Sequence, residues 1–179
     1  MGQKYDASSF PFSKNTKVLI DTNIWVYIED SKAADQVSGV AYTDLLYRTI
    51  LPSCAQLYTT PLIIEEYINQ RIRLSYSIYL KKIDESRDAF GFKHDYCPTQ
   101  DFAQNYDLIL SEVQDEILQM VSLIDSSANY LTRALDSRIS KDFNDEMIIQ
   151  CALMNKFYIL TNDRDFIENS PSEVGIITL

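Results

Sequence analysis

The stretch Lys17-Val18-Leu19-Ile20-Asp21-Thr22-Asn23 decides how the rest of this sequence is interpreted. Its first four residues form a largely apolar run that is too short for a helix, which is typical of a strand buried on both faces of a sheet. The next three residues have side chains that cap helix N-termini, and an apolar helix face follows with Ile24, Trp25 and Ile28. The stretch therefore predicts a strand that leads directly into a helix, with a carboxylate at the junction.

The same alternation continues along the chain. Short apolar runs at 57–60, 157–160 and 174–177 predict three more strands, and helical spacing predicts helices at about 33–51, 61–83 and 146–156. Strands that are separated by helices pair in parallel through crossover connections. We therefore predict an α/β fold, a three-layer α/β/α domain around a central parallel sheet of about four or five strands.

Two regions fall outside this alternation. Residues 1–16 are polar and mixed, and we interpret them as a flexible N-terminal segment before a single domain at 17–179. Between about 99 and 140, apolar residues recur every three or four positions without a strand, which predicts an added helical insertion with a break at Ser126-Ser127. An apolar stripe of this kind must be buried, either on its own domain or against a partner such as a second copy of the chain.

The composition limits the possible functions. Because 26 Asp and Glu outnumber 16 Lys and Arg, the net charge is −10, which excludes a broad basic face for nucleic acid. Cys54, Cys97 and Cys151 lie far apart, which is typical of free thiols in a reducing compartment. The single histidine, His94, excludes sites that need two imidazoles. No apolar stretch approaches the ~18 residues of a membrane span, so we expect a cytoplasmic protein without a membrane partner.

Acidic residues follow several of the predicted strands. Asp21 comes directly after the first strand, Glu65 and Glu66 lie one helical turn after the second, and Asp163 follows the strand at 157–160. Asp145 opens the helix that precedes that strand. Because ligands of open parallel sheets sit beyond the carboxyl ends of the strands, we expect these acids to converge at one edge.

Clustered carboxylates repel one another, and a divalent cation relieves that repulsion. Oxygen ligands without His or Cys select a hard ion, Mg²⁺ or Mn²⁺, and such ions bind phosphate oxygens. The pattern thus indicates metal-assisted displacement at phosphorus. Each residue also has a purely structural interpretation: Asp21 as a helix cap, Asp142 and Asp145 as acids that cap a helix start and complement its dipole, Asp163 as part of a turn, and one of Glu65 and Glu66 as a solvated helix face.

With these residues identified, the sequence resembles the PIN-domain family of metal-dependent ribonucleases, which includes toxins and stand-alone proteins. The resemblance lies in four segments: Val18-Leu19-Ile20-Asp21-Thr22-Asn23, Thr60-Pro61-Leu62-Ile63-Ile64-Glu65-Glu66-Tyr67, Asp142-Phe143-Asn144-Asp145-Glu146-Met147-Ile148-Ile149-Gln150-Cys151-Ala152 and Leu160-Thr161-Asn162-Asp163-Arg164-Asp165-Phe166. It covers most of the chain but leaves about 67–140 unmatched.

The resemblance implies which residues form the site. The family's acidic centre corresponds to Asp21, Glu66, Asp145 and Asp163, which would act in catalysis and hold Mg²⁺ or Mn²⁺, with Asn23 and Thr161 as polar helpers. Glu65 is the alternative to Glu66 as the second acid of the site, because a helical wheel places Glu65 nearer the apolar stripe. We favour Glu66, since the start of this helix should face the crevice. The resemblance also implies hydrolysis of single-stranded RNA, and a toxin role with a cognate antitoxin.

Three other interpretations compete with a nuclease. A haloacid-dehalogenase-type phosphatase needs a second Asp two residues after the first, and Asn23 stands there. A response-regulator receiver domain needs adjacent acids after the first strand, where Ile20-Asp21 supplies only one. A catalytically inactive scaffold that binds partners would normally have lost one of the four acids, and all four are present. The metal-dependent endoribonuclease is the interpretation that uses every acid.

Overall fold

The computed structural model describes residues 3–31, 37–125, 127–137 and 139–179. Parts of two predictions, the helix start at 33–36 and the break at Ser126, lie outside these residues. The chain divides into two compact units, one formed by 1–63 and 121–179 and the other by 64–120. Among the helices described, none is both long enough and apolar enough to cross a membrane.

The first unit contains a parallel sheet that has six strands in the described part of the chain, in the order β1-β6-β5-β2-β3-β4. The strands are β1 (Gln3–Asp6), β2 (Lys17–Ile20), β3 (Gln56–Thr59), β4 (Ser122–Leu123), β5 (Tyr158–Leu160) and β6 (Gly175–Thr178). The predicted α/β fold with a central parallel sheet is confirmed.

The helices alternate with these strands along the chain. They are α1 (Thr22–Ser31), α2 (Val37–Asp44), α3 (Pro61–Ile83), α4 (Gln100–Glu112), α5 (Leu118–Met120), α6 (Ala128–Asp136), α7 (Phe143–Asn155) and α8 (Arg164–Asn169). After α2 the chain continues as a π-helical segment, Leu45–Ile50, and a short 3₁₀ turn, Leu51–Ser53. Two further π-helical segments, Phe92–Tyr96 and Val113–Ile117, flank α4.

The centre of the sheet follows the hydrophobic pattern. Val18, Leu19 and Ile20 of β2 are fully buried, as are Ile159 of β5 and Ile176 of β6. Side chains of successive residues point to opposite faces of a strand, so burial of consecutive residues requires helices on both faces. The four predicted strands are present, with ends that differ from the prediction by at most one residue.

The two edge strands are the part of the sheet that was not predicted. β1 lies within the segment 1–16 that was expected to be flexible, where its backbone pairs with β6. β4 pairs with β3 through two exposed residues. Because edge strands are held by backbone hydrogen bonds and bury few side chains, neither has the continuous apolar run that identified the central strands.

The predicted insertion at about 99–140 is not one continuous helix. Thr99 caps α4 by accepting a hydrogen bond from the Phe102 amide at 3.1 Å, and the helical stretch ends at Met120. β4 then precedes α6, whose N-cap Ser127 has extended backbone. The predicted break at Ser127 thus coincides with the start of α6, but a strand that carries no helical periodicity lies just before it.

The second unit is held together by aromatic and charged side chains. Tyr76, Phe92 and Tyr96 pack with ring centroids 5.3–5.9 Å apart, and the Arg73 guanidinium lies 3.8 Å from the centroid of the Phe92 ring. Burial, followed by its hydrogen bond to Asp101, raises the pKa of the Tyr96 phenol. This clustering stabilises the segment between α3 and α4 without regular strands.

Candidate functional site

Asp21 lies at the carboxyl end of β2, between the neighbouring strands β5 and β3. Its backbone amide continues the ladder by donating to the Leu160 carbonyl at 3.1 Å, so the residue is held by the sheet. The residue is 5% exposed, and its Oδ1 accepts a hydrogen bond of 2.7 Å from the Thr22 amide in the first turn of α1. The helix N-terminus thus stabilises a buried carboxylate.

Thr161 joins the ends of β2 and β5. Its hydroxyl donates to Asp21 Oδ2 at 2.7 Å and accepts from the Asp163 amide at 2.9 Å. The Thr161 amide donates to the Ile177 carbonyl at 3.1 Å, which ties the same residue to β6, and its side chain is fully buried. Because one hydroxyl has both contacts, the segment that carries Asp163 is held next to the Asp21 carboxylate.

Asn23 completes this junction. Its Nδ2 donates to Thr161 Oγ1 at 3.4 Å, whereas its buried Oδ1 has no hydrogen-bond partner. A buried oxygen without a donor is uncommon in folded proteins. Asn23 and Thr161, the two polar helpers expected from the sequence, therefore both lie at the Asp21 carboxylate.

Two of the acids are helix N-caps: this role was predicted for Asp142, whereas Asp163 was predicted as part of a turn. Asp163 is the N-cap of α8, where its Oδ1 accepts from the Asp165 amide at 2.8 Å. Asp142 is the N-cap of α7 and accepts from the Asn144 amide at 2.7 Å. A cap uses one carboxylate oxygen, so the second oxygen of Asp163 remains compatible with a further role.

Asp145 lies in the first turn of α7, half-buried, and its Oδ2 accepts a hydrogen bond of 3.3 Å from Ser140 Oγ. The next residue, Glu146, is 2% exposed and accepts from two backbone amides of the preceding loop, those of Ile139 and Ser140. Sequence reasoning missed both Ser140 and Glu146. A Glu four residues before Gln150, on a helix face that also holds Ile149, was the available signal of a buried acid.

The pKa of Glu146 is lowered in spite of its burial. Burial by itself would raise the pKa of this carboxyl, but hydrogen bonds from Gln150 and from the loop 137–140 together hold the pKa below its ordinary value. Donors that point at a carboxylate favour its charged form, and here they outweigh desolvation. The loop before α7 is therefore anchored on a buried negative charge.

Glu65 and Glu66 lie in α3, within the second unit. Glu65 is exposed, whereas Glu66 is half-buried and accepts from Gln70 Nε2 at 3.0 Å. The helical-wheel argument, which placed Glu65 nearer the apolar stripe, is wrong because the buried residues at this end of the helix are Ile63 and Tyr67. Of the two acids, Glu66 is the one with the more shielded side chain.

The residues at the β2–β5 junction fit a hard divalent cation by their chemistry. Asp21, Asn23 and Asp163 offer only oxygen atoms that suit Mg²⁺ or Mn²⁺, and Asn23 Oδ1 is buried without a donor. In the described parts of the chain, no three side chains among His, Cys, Asp and Glu form a group that could hold a metal ion. The convergence of all four predicted acids therefore stays a prediction.

Comparisons with known proteins agree with the observed fold. Residues 18–170 match the family described as PIN domain. A structure of VapBC2 from Rickettsia felis, bound to a DNA fragment from its promoter, is 18% identical, covers 92% of this chain and 99% of its own, and has a TM-score of 0.52. No curated protein gives a significant match.

Two more structures are similar at lower identity. FitAcB from Neisseria gonorrhoeae is 13% identical, covers 89% of this chain and 96% of its own, and has a TM-score of 0.53. VapC20 from Mycobacterium tuberculosis, a toxin that cleaves the Sarcin-Ricin loop, is 13% identical, covers 88% of this chain and 98% of its own, and has a TM-score of 0.51. At these identities the likeness shows a shared fold.

Proposed function

This chain belongs to the PIN domain family, and on that premise we propose that it is a metal-dependent endoribonuclease that hydrolyses phosphodiester bonds of single-stranded RNA. One observation supports the proposal above the others. A buried carboxylate, Asp21, stands at the carboxyl end of a central strand and shares the Thr161 hydroxyl with the segment that carries Asp163. This edge of a parallel sheet is where ligands of open α/β folds bind.

Asp21, Asp163, Asp145 and Glu66 are the proposed ligands, directly or through water, and Asn23 orients phosphate or water with its amide. The topology supports the inclusion of Asp145. α7 runs into β5 through Lys156 and Phe157, and a crossover helix returns antiparallel to its strands, so its first turn belongs at the edge where the strands end. Glu66 is preferred to Glu65 because its side chain is the more shielded.

When bound, Mg²⁺ or Mn²⁺ supplies positive charge that lowers the pKa of water and offsets the charge that develops on phosphate. The chain's own residues position the reactants. Asp21 is held by the Thr22 amide and the Thr161 hydroxyl, so its carboxylate needs little reorganisation as the reaction proceeds. We propose that Asp145, which accepts a hydrogen bond from Ser140, would accept a proton from the attacking water.

We also propose that the protein acts as the toxin of a toxin–antitoxin pair. The similarity of this chain's fold to the structures named VapBC2 and FitAcB supports the proposed toxin role. Exposed apolar residues on α6, Leu131 and Leu135, supply a surface that an antitoxin or a second copy of the chain would cover.

The test is a cleavage assay with labelled single-stranded RNA and purified protein. Cleavage should require Mn²⁺ or Mg²⁺, stop with chelator, and fall at least about 100-fold in Asp21→Asn, because the amide lacks the charge that a cation needs. Asp142→Asn is the control: it removes one carboxylate at the start of α7, which the proposed site does not use, and keeps the cap, so its activity should stay within about twofold.

Four results would contradict the proposal. Chelator-insensitive cleavage would exclude the metal mechanism, and full activity in Asp21→Asn would exclude the site. Hydrolysis of p-nitrophenyl phosphate without cleavage of RNA would indicate a phosphatase. Absence of any hydrolysis, with a folded protein that still binds a partner, would indicate the inactive scaffold.

A further inference from the structure

Glu146 is a buried acid that the proposed reaction does not use directly. Its exposure of 2% is below that of Asp21, at 5%, and its neighbours Ile148 and Ile149 are apolar and buried. A carboxylate is retained in such a place only if hydrogen bonds compensate for the loss of water. The contacts of Glu146 therefore indicate its role.

Those contacts all run to one loop and one neighbour. Glu146 Oε2 accepts from the Ile139 amide at 2.8 Å and from the Ser140 amide at 2.9 Å, and Oε1 accepts from Gln150 Nε2 at 3.0 Å. The carboxylate also has a hydrogen bond with the Ser137 side chain, and it thus holds the backbone of the loop against the start of α7. A side chain without acceptors would leave both loop amides unpaired.

The loop passes this constraint on to the neighbouring acid. Ser140 Oγ accepts from the Asp142 amide at 3.1 Å, so the hydroxyl proton is directed elsewhere, and Asp145 Oδ2 lies 3.3 Å away. A hydroxyl has one proton to donate, and this arrangement leaves it for Asp145. The loop residue whose backbone Glu146 binds, Ser140, therefore also contacts the Asp145 carboxylate through its side chain.

We propose that Glu146 is a positioning residue for Asp145, acting through the Ser140 amide and hydroxyl, and that it sets the geometry of this acid for the nuclease reaction. The inference rests on the proposed function for its consequence in catalysis. Glu146 itself contacts neither substrate nor cation. Its contribution is geometric, because what the loop requires is an acceptor at the Oε2 position and not a negative charge near phosphate.

The distinction between geometry and charge determines the variants. In Glu146→Gln the amide oxygen can accept from the loop and the amide nitrogen can donate to Gln150 after that side chain turns over, so the loop keeps its anchor without a charge. Glu146→Ala removes the acceptor. Ser140→Ala keeps the hydrogen bonds between Glu146 and the loop amides and removes the hydroxyl that donates to Asp145. Tyr130→Phe is the matched control, since it removes a different hydrogen bond to α7, the 2.8 Å bond from Asn155.

The first measurement does not depend on activity. We expect the ¹³C resonance of the Asp145 carboxyl to shift in Glu146→Ala and in Ser140→Ala, and to stay in place in Glu146→Gln and Tyr130→Phe. Amide exchange of Ile139 should accelerate about tenfold or more in Glu146→Ala only. If Glu146→Ala does not fold, Ser140→Ala and Glu146→Gln still test the link. An unchanged Asp145 resonance in Ser140→Ala overturns the proposal.

The second measurement is RNA cleavage as a function of Mn²⁺ concentration. We expect kcat to fall about 10–100-fold and half-saturating Mn²⁺ to rise in Glu146→Ala and Ser140→Ala, with the KM for RNA unchanged. The double variant should be no worse than the worse single one, because both substitutions break the same link. Equal losses in Glu146→Gln and Glu146→Ala overturn the proposal, since charge would then matter. If the wild type cleaves no RNA, the proposed function fails while the carboxyl resonance still decides the positioning.

Discussion

Replacing Thr161 with valine removes one hydroxyl from the junction of β2 and β5 and keeps the shape of the side chain. The hydroxyl is fully buried, donates to Asp21 Oδ2 at 2.7 Å and accepts from the Asp163 amide at 2.9 Å. In the valine variant the buried carboxylate loses a donor and meets a methyl group instead, and the amide loses its acceptor. Both contacts therefore become unfavourable at once.

The expected loss of stability follows from these two contacts. A hydrogen bond to a buried charged group contributes about 1.5–3 kcal/mol, and an amide left without its acceptor costs about 1 kcal/mol. The free energy of unfolding should therefore fall by about 2–4 kcal/mol, which corresponds to a drop of about 5–15 °C in Tm for a chain of this length. Thr161→Ser keeps the hydroxyl and loses one methyl, so it should cost about 1 kcal/mol.

Urea unfolding provides the measurement, with fluorescence of the single tryptophan, Trp25, as the probe because this residue is fully buried in α1. The m-value, which is the slope of the free energy of unfolding against urea concentration, should stay the same, while the urea concentration at the midpoint of unfolding should fall. RNA cleavage, if the proposed function is right, should fall about tenfold or more in Thr161→Val and little in Thr161→Ser. Equal destabilisation by the two substitutions would refute the argument, since the Thr161 hydroxyl would then contribute no more to stability than the Thr161 methyl group.

Two further predictions concern packing and thiol chemistry. A Cβ on Gly175 would lie 2.4 Å from Tyr158 Cδ1, so Gly175→Ala should lower the free energy of unfolding in urea by about 1–3 kcal/mol. Gly91→Ala, whose nearest contact is a carboxylate oxygen at 3.3 Å, should cost less than about 1 kcal/mol, and equal losses would contradict the packing argument. Burial raises the pKa of the Cys151 thiol to about 11, so roughly one such thiol in a thousand is ionised at pH 8. Iodoacetamide should therefore label the exposed Cys54 long before Cys151 under native conditions, as measured by mass spectrometry, and similar rates would show that Cys151 is not shielded.

The junction at Asp21 illustrates which parts of the candidate site could be predicted from the sequence. A short apolar run followed by Asp21, Thr22 and Asn23 was enough to predict a central strand, a helix start and a carboxylate at the edge of the sheet. Thr161 was predicted as a polar helper through the family resemblance. The sequence contained no sign that its hydroxyl binds Asp21, because the two residues are 140 positions apart and meet only when β5 pairs with β2.

Glu146 illustrates the opposite case. In the sequence it is one of several acids near the start of α7, where acids are common because they complement the helix dipole. The structure shows that it is buried and accepts from the amides of Ile139 and Ser140. Backbone amides are the same in every residue, so no side-chain pattern could reveal which of them a carboxylate would bind.

The amino-acid sequence by itself determined the class of fold, the four inner strands and the acids at their ends, because burial on both faces demands continuous apolar runs and sheet topology brings strand ends to one edge. Only the tertiary structure decided where β1 and β4 pair, which of Glu65 and Glu66 is shielded, and which hydroxyls and amides hold Asp21, Asp145 and Glu146. These depend on backbone pairing and on directional contacts between distant residues, which leave no periodic trace in the chain.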